Sequence, residues 1–182
     1  MKKWLALTLV ISVLINVILV YSLAIKMERL NTSWYRLTSN FANSIHNSTS
    51  NTSVIDTVDG IASQYQGLKN IQQQLFNMQL LPEGNVIIEE NTIKKSETLL
   101  QYQFIILERM KQELKENGSV SNTTNENYMK AEQSWDAVFQ SFSGQLKNVN
   151  PLARTFNENK WQALFETAFK AKDSVQLTPL SP

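Results

Sequence analysis

From Trp4 to Ile25 the chain carries no charged side chain, and from Met27 onward its apolar residues recur in alternating steps of three and four. The pattern predicts one helix of two characters. The first run, about 22 residues, would span about 33 Å as a helix, close to the hydrocarbon thickness of a bilayer. A cleavable export signal has an apolar region of only about 7 to 15 residues, so length favours an uncleaved signal-anchor over residues 1–25. Ser22 and Ala24 nevertheless stand where small residues precede a cleavage point, which keeps a second reading open: a secreted protein released after Ala24.

Beyond the span, Met27, Leu30, Trp34, Leu37, Phe41 and Ile45 form an amphipathic seam, so the membrane helix is expected to continue outward as one rod. It should stop within Asn43 to Ser53, where Asn, Ser and Thr compete for backbone hydrogen bonds. A second helix, opened by a Ser53–Asp56 capping pair, should carry Val54, Val58, Ile61, Tyr65, Leu68, Ile71 or Gln72, Leu75 and Met78 and end at the turn Leu81 to Asn85. Gly60, Ser63 and Gly67 share one side of it, where another backbone could come close. A third helix is expected from about Ile87 to Asn117, with Ile93, Leu100, Phe104, Leu107, Met110 or Lys111, and Leu114 near its inward face and Gly118 as its stop. Thr123 with Glu126 should cap a fourth, carrying Tyr128, Ala131, Trp135, Val138, Phe142 and Leu146. After the break at Asn150-Pro151, Thr155 with Glu158 should cap a fifth, carrying Trp161, Leu164, Phe165, Ala168 and Phe169. No strand-like alternation bounded by turns survives. The expected fold class is all-α: a transmembrane helix continuing into an up-and-down bundle of four to five helices over residues 26–176, with a mobile tail at 177–182.

Charge sharpens the placement. Lys2 and Lys3 precede the span while Lys26, Arg29 and Arg36 follow it, so the positive-inside count is nearly balanced. A very short charged start followed at once by an apolar run is how export signals begin, which orients the N-terminus to the cytoplasm and the bundle outside. Seventeen Lys and Arg against sixteen Asp and Glu, scattered singly, leave no basic stripe for a nucleic acid. With no cysteine, disulfides, thiolate nucleophiles and cysteine-bound metals or lipids are excluded.

Candidate chemistry is sparse, and no cofactor or metal site is expected. His46 is the single histidine and sits in the polar tract, where an exposed loop position is the expectation. Glu83, Glu89, Glu90, Glu97, Glu108, Glu113, Glu116 and Asp136 are the carboxylates that an envelope hydrolase or enzyme inhibitor could use. A glycosidase would need two of them about 5 to 9.5 Å apart across a cleft. Glu90 and Lys94 are instead spaced to pair on an exposed helix face. Trp135 and Trp161 fall on inward stripes and read as core. The triplets at Asn31, Asn47, Asn51, Asn117 and Asn122 match the glycosylation pattern, which in a bacterial chain is merely polar sequence.

Two features point to contacts. Thr8, Ser12 and Asn16 recur every fourth residue along one face of the membrane helix and could hold a second helix, either a protein partner or another copy of this chain. The bland alternative is that the hydroxyls bond back to their own helix carbonyls. Trp34 and Tyr35 are adjacent and cannot both face inward, so one of them is left beside the membrane for lipid or a partner. Together these features predict a membrane-tethered, non-catalytic interaction or regulatory module that binds another envelope protein, a peptide or the wall.

Overall fold

The computed structural model describes residues 2–50, 55–81 and 83–177. Among them the chain is all-helical. The first helix, α1 (Lys2–Thr49), carries the apolar run and the first bundle seam without a break. Neither proline nor glycine occurs along it, so nothing interrupts its hydrogen-bond ladder. At about 1.5 Å per residue it is about 72 Å long. Its two halves meet different surroundings. The large apolar side chains from Leu9 to Leu23 are 47–68% exposed, whereas Asn31, Trp34, Thr38, Phe41, Ile45 and Ser48 are buried at steps of three and four. Among the described residues α1 is the one helix long and apolar enough to cross a membrane.

The helix ends inside the polar tract, as expected, but only at Thr49, because Ile45 and Ser48 are still packed. The next helix, α2 (Val58–Gln79), is capped by Thr57, whose hydroxyl oxygen accepts from the Gly60 N–H at 3.1 Å. Ser53 and Val54 lie outside the described residues, and Val58 faces solvent. The inward stripe is Ile61, Gln64, Leu68, Ile71, Leu75 and Met78, with Tyr65 at its edge against Phe104. Gly67 is the expected close approach: a Cβ there would stand 2.8 Å from the Ser48 hydroxyl and 3.7 Å from its Cα.

The single helix expected from Ile87 onward is divided into a one-turn α3 (Gly84–Ile87) and α4 (Glu90–Asn117), with extended backbone at Ile88 and Glu89. Ile87 closes α3 and Ile88 lies in the extended link, so both are buried at the corner where the chain turns into α4. Gly118 terminates α4 at φ 70°, its N–H donating to the Leu114 carbonyl at 3.0 Å. Helix α5 (Asn122–Leu146) starts from Ser121 rather than Thr123. Glu113 of α4 accepts from the Ser121 N–H at 2.7 Å and from the Ser121 and Thr124 hydroxyls, which fixes the start two residues early. Helix α6 (Glu158–Ala171) is capped by Asn157 rather than Thr155 and runs into a 3₁₀ turn, Lys172–Ser174. The expected tail lies outside the described residues except for Leu177, which packs on the core.

Helices α1, α2, α4 and α5 close a ring: α1 packs on α2 and α5, and α4 packs on the same two. Short connections make successive members antiparallel. Helix α6 covers the outside of α5 and meets α3 and α4. The side of the core shared by α1, α5 and α6 is aromatic. Phe41 meets Phe142 edge-on at 5.7 Å, Phe142 meets Phe165 at 5.2 Å, and Trp34 lies between Trp161 and Phe165 at about 6 Å. Trp135 donates its indole N–H to Gln103 at 2.7 Å, so a tryptophan and a glutamine are buried together without loss.

Gly84 holds the α2–α3 corner: an added Cβ would lie 2.5 Å from the Gln79 carbonyl oxygen and 2.6 Å from that of Met78. Both obstacles are backbone, so relief requires moving the end of α2. Gly84→Ala should cost about 1–3 kcal/mol of stability, read as a lower urea midpoint at unchanged slope.

Candidate functional site

Thr8, Ser12 and Asn16 all lie on the exposed half of α1, about one turn apart. The Thr8 hydroxyl donates to the Trp4 carbonyl at 2.7 Å, which is the back-bonded arrangement. Asn16 instead lines a shallow groove of about 500 Å³ with Val13, Val17, Val20, Tyr21, Ala24 and, from a distant part of the chain, Arg154. The Trp34–Tyr35 pair divides as adjacency requires: Trp34 is wholly buried and Tyr35 stays half-buried at the edge of the core.

Just above the apolar band, Asn31 ties the loop between α5 and α6 to α1. Its amide nitrogen donates to the carbonyls of Ala153 at 2.9 Å and Thr155 at 2.8 Å, and its oxygen accepts from the Trp161 indole N–H at 3.2 Å. The neighbouring Thr32 hydroxyl donates to the Pro151 carbonyl at 3.0 Å. Thr155 is thereby held as a loop acceptor, which is why Asn157 caps α6. Asn31 is 4% exposed with both amide hydrogens engaged, so the folded chain cannot be glycosylated there. Asn47 is in α1, Asn117 and Asn122 are exposed at helix ends, and Asn51 lies outside the described residues.

His46 occupies the last turn of α1 rather than a loop, exposed and stacked on Phe139 at 4.7 Å. It lines a groove of about 360 Å³ between α1 and α5 with Thr49, Ser50, Met129, Glu132, Gln133, Asp136 and Gln140. Asp136 is the single expected carboxylate in that groove. The others are dispersed. Glu90 pairs with Lys94 at 2.7 Å, Glu108 approaches Lys111 at 3.9 Å, Glu116 accepts from Gln112 and Glu89 from Gln162, while Glu83 and Glu97 are exposed. Burial alone would raise the Glu113 carboxyl, but the Thr124 and Ser121 donors and the Arg109 charge hold it below the usual range, as suits a cap. Among the described residues no three His, Asp or Glu side chains gather as a metal cage.

Glu132 was missed by reasoning from exposed carboxylates, although its position gives it away. It follows Tyr128 by four and precedes Trp135 by three, which puts it on the inward stripe of α5. It is 5% exposed, and the Tyr128 hydroxyl, one turn earlier on the same stripe, is the donor beside its carboxyl, although the pair falls outside good hydrogen-bond geometry. Burial pushes the Glu132 carboxyl from 4.5 up to about 7, with the nearby Tyr128 hydroxyl opposing the rise. Burial and the carboxylate's charge together drive the Tyr128 hydroxyl strongly upward. A buried carboxyl poised near neutrality is a candidate for binding or switching.

Compared with protein-family models, curated proteins and solved structures, the chain matches none.

Two outcomes follow from these polar groups. Asn31→Ala strands an indole N–H and two carbonyls and should cost about 2–4 kcal/mol in a chemical denaturation curve. For Glu132, the folded chain keeps a proton that the unfolded chain releases near pH 4.5. Its contribution is therefore complete below about 4.5 and is lost as pH rises through about 7, a difference on the order of 3 kcal/mol. The urea midpoint should fall between pH 5 and pH 8, and Glu132→Gln should flatten that fall.

Proposed function

We propose that this chain is a membrane-tethered, extracytoplasmic helical module, without catalysis of its own, that binds another envelope protein, a peptide or a wall component. The observation that carries this reading is α1. A helix whose first half is uncharged and exposes large apolar side chains from Leu9 to Leu23 needs lipid tails or a partner helix around it. Its second half is a core member of the bundle, so the two environments are joined by one uninterrupted rod. Cleavage after Ala24 would cut within that rod.

The exposed apolar band supports a single membrane span, and the very short charged start that precedes it favours an N-terminus in the cytoplasm with the bundle outside. The Thr8, Ser12 and Asn16 face is where a protein partner, or a second copy of this chain, would dock within the bilayer. Tyr35 is the half-buried aromatic nearest the membrane. At the far end, the groove between α1 and α5 presents His46, Met129, Gln133, Asp136 and Gln140, a mixed polar lining that suits recognition of a peptide. A hydrolase built on carboxylates would have Glu132 and Asp136 one turn apart on one helix rather than facing each other across a cleft.

Membrane fractionation tests the tether. The protein should stay with membranes through an alkaline carbonate wash, and its intact mass should include residues 1–24. A mature chain that begins at Ile25 and partitions into the soluble fraction would refute the reading.

A further inference from the structure

The end of the bundle beside the apolar run brings together position, charge and an exposed apolar side chain on one rigid loop. The loop from Asn150 to Thr155 is fastened to α1 by two hydrogen bonds from the Asn31 amide, to Ala153 and Thr155, and by the Thr32 hydroxyl, whose one hydrogen is shared between the Glu28 carbonyl of its own helix at 2.9 Å and Pro151 at 3.0 Å. Asn150 braces it internally, its side-chain oxygen accepting from the Leu152 N–H at 3.0 Å. The loop therefore sits at a fixed height, beside the α1 turn from Glu28 to Thr32.

That height can be compared with a bilayer. Glu28 to Thr32 lie about 5 to 10 Å along the axis beyond Ile25, where the uncharged run ends. A headgroup layer is about 5 to 7 Å thick on each side of the hydrocarbon. Arg154 reaches back toward the span, where it lines the groove with Val20, Tyr21 and Ala24. Its side chain is 70% exposed, and its Nε stands 3.8 Å from Glu28, too far for a hydrogen bond. A guanidinium presents five donors in a planar fork that matches a phosphate, so an oxyanion at this height finds donors to accept from. Lys26 and Arg29 are exposed on the same stretch of α1, so three cations stand there against the one carboxylate of Glu28. Leu152 is 64% exposed two residues before Arg154. An apolar tip beside a basic side chain is the composition of an interfacial contact.

We propose that the Asn150–Thr155 loop is a second membrane contact, with Arg154 meeting the phosphate of an acidic phospholipid at the mouth of the span and Leu152 dipping into the interfacial layer. The inference rests on the membrane-tethered reading. It adds that the bundle is seated on the lipid surface at a point remote in sequence from the anchor. Seating at two points would restrain tilting of the bundle about the exit of α1.

The absence of cysteine from the chain makes the test direct. Single cysteines are introduced at three positions of the full chain, V17C in the span, L152C in the loop and N117C at the opposite end of the bundle, and each is labelled with a nitroxide. The proteins are reconstituted in phosphatidylcholine vesicles, with and without about one quarter phosphatidylglycerol. Collisions with oxygen and with a water-soluble nickel chelate report depth. The label at 17 should be shielded from nickel. The label at 152 should be several-fold less accessible to nickel than the label at 117, and less accessible still when acidic lipid is present. Arg154→Gln and Arg154→Glu in the L152C background should remove the dependence on acidic lipid while helicity and the depth at 17 are kept. If the label at 152 is as open to nickel as that at 117 while 17 remains shielded, the loop contact is refuted and the anchor stands. If 17 itself is open to nickel, the tethered reading fails and the loop contact fails with it.

Discussion

The continuity of α1 constrains everything else in the molecule. An α-helix turns about 100° per residue, so the direction each bundle-facing side chain takes is fixed by its distance along the helix from the apolar run. Asn31, Trp34, Thr38, Phe41, Ile45 and Ser48 can lie on one stripe only because no proline or glycine intervenes. The rest of the bundle is arranged around that stripe: α2 approaches it at Gly67, α5 supplies Trp135 and Phe142, and α6 brings Trp161 and Phe165 onto Trp34. Any rotation introduced near the apolar run would be passed to this core through a stiff rod.

Two buried polar residues show what the bundle does with groups it cannot expose. Asn31 is completely satisfied: two donors and one acceptor are matched to a loop and an indole, and the result is a fixed corner beside the apolar band. Glu132 is matched less well: the Tyr128 hydroxyl stands beside its carboxyl but outside good hydrogen-bond geometry. Leaving a buried carboxyl poorly matched costs stability, and an apolar residue of similar size would remove that cost. Asn31 lies beside the apolar run and Glu132 toward the far end of α1, beneath the groove that His46 lines.

Much of this was legible in the residue pattern. The apolar members of the inward stripes of α5 and α6 are legible, because steps of three and four between large apolar side chains leave little choice of face, whereas the polar members Asn127, Glu132 and Ser134 are not. The α4 stop at Gly118 and the Glu90–Lys94 pair are local features and were equally readable. Helix starts were not, because tertiary contacts decide among neighbouring capping residues: Glu113 selects Ser121 over Thr123, and Asn31 withholds Thr155 in favour of Asn157. The break at Ile88 was hidden because two adjacent isoleucines look like helix and are settled only by what they can reach. Glu132 was overlooked by asking which acids look solvated. Asking which acids occupy a core stripe would have found it.

The contrast between Asn31 and the other Asn-x-Ser/Thr triplets carries the same lesson into function. As sequence they are interchangeable. In the fold, one of them is a structural joint whose amide has no hydrogen to spare, and that joint sets the height of Pro151, Leu152 and Arg154 relative to the end of the apolar run. A loop pinned by side-chain amide bonds cannot retreat from a surface as a free loop would, since retreat would break all of them together. Its exposed leucine and arginine are consequently held in place before any partner arrives, and little ordering entropy remains to oppose a contact there. That pre-organisation makes the end of the bundle beside the apolar run, more than the bare length of that run, the part of the fold from which a biological role can be argued.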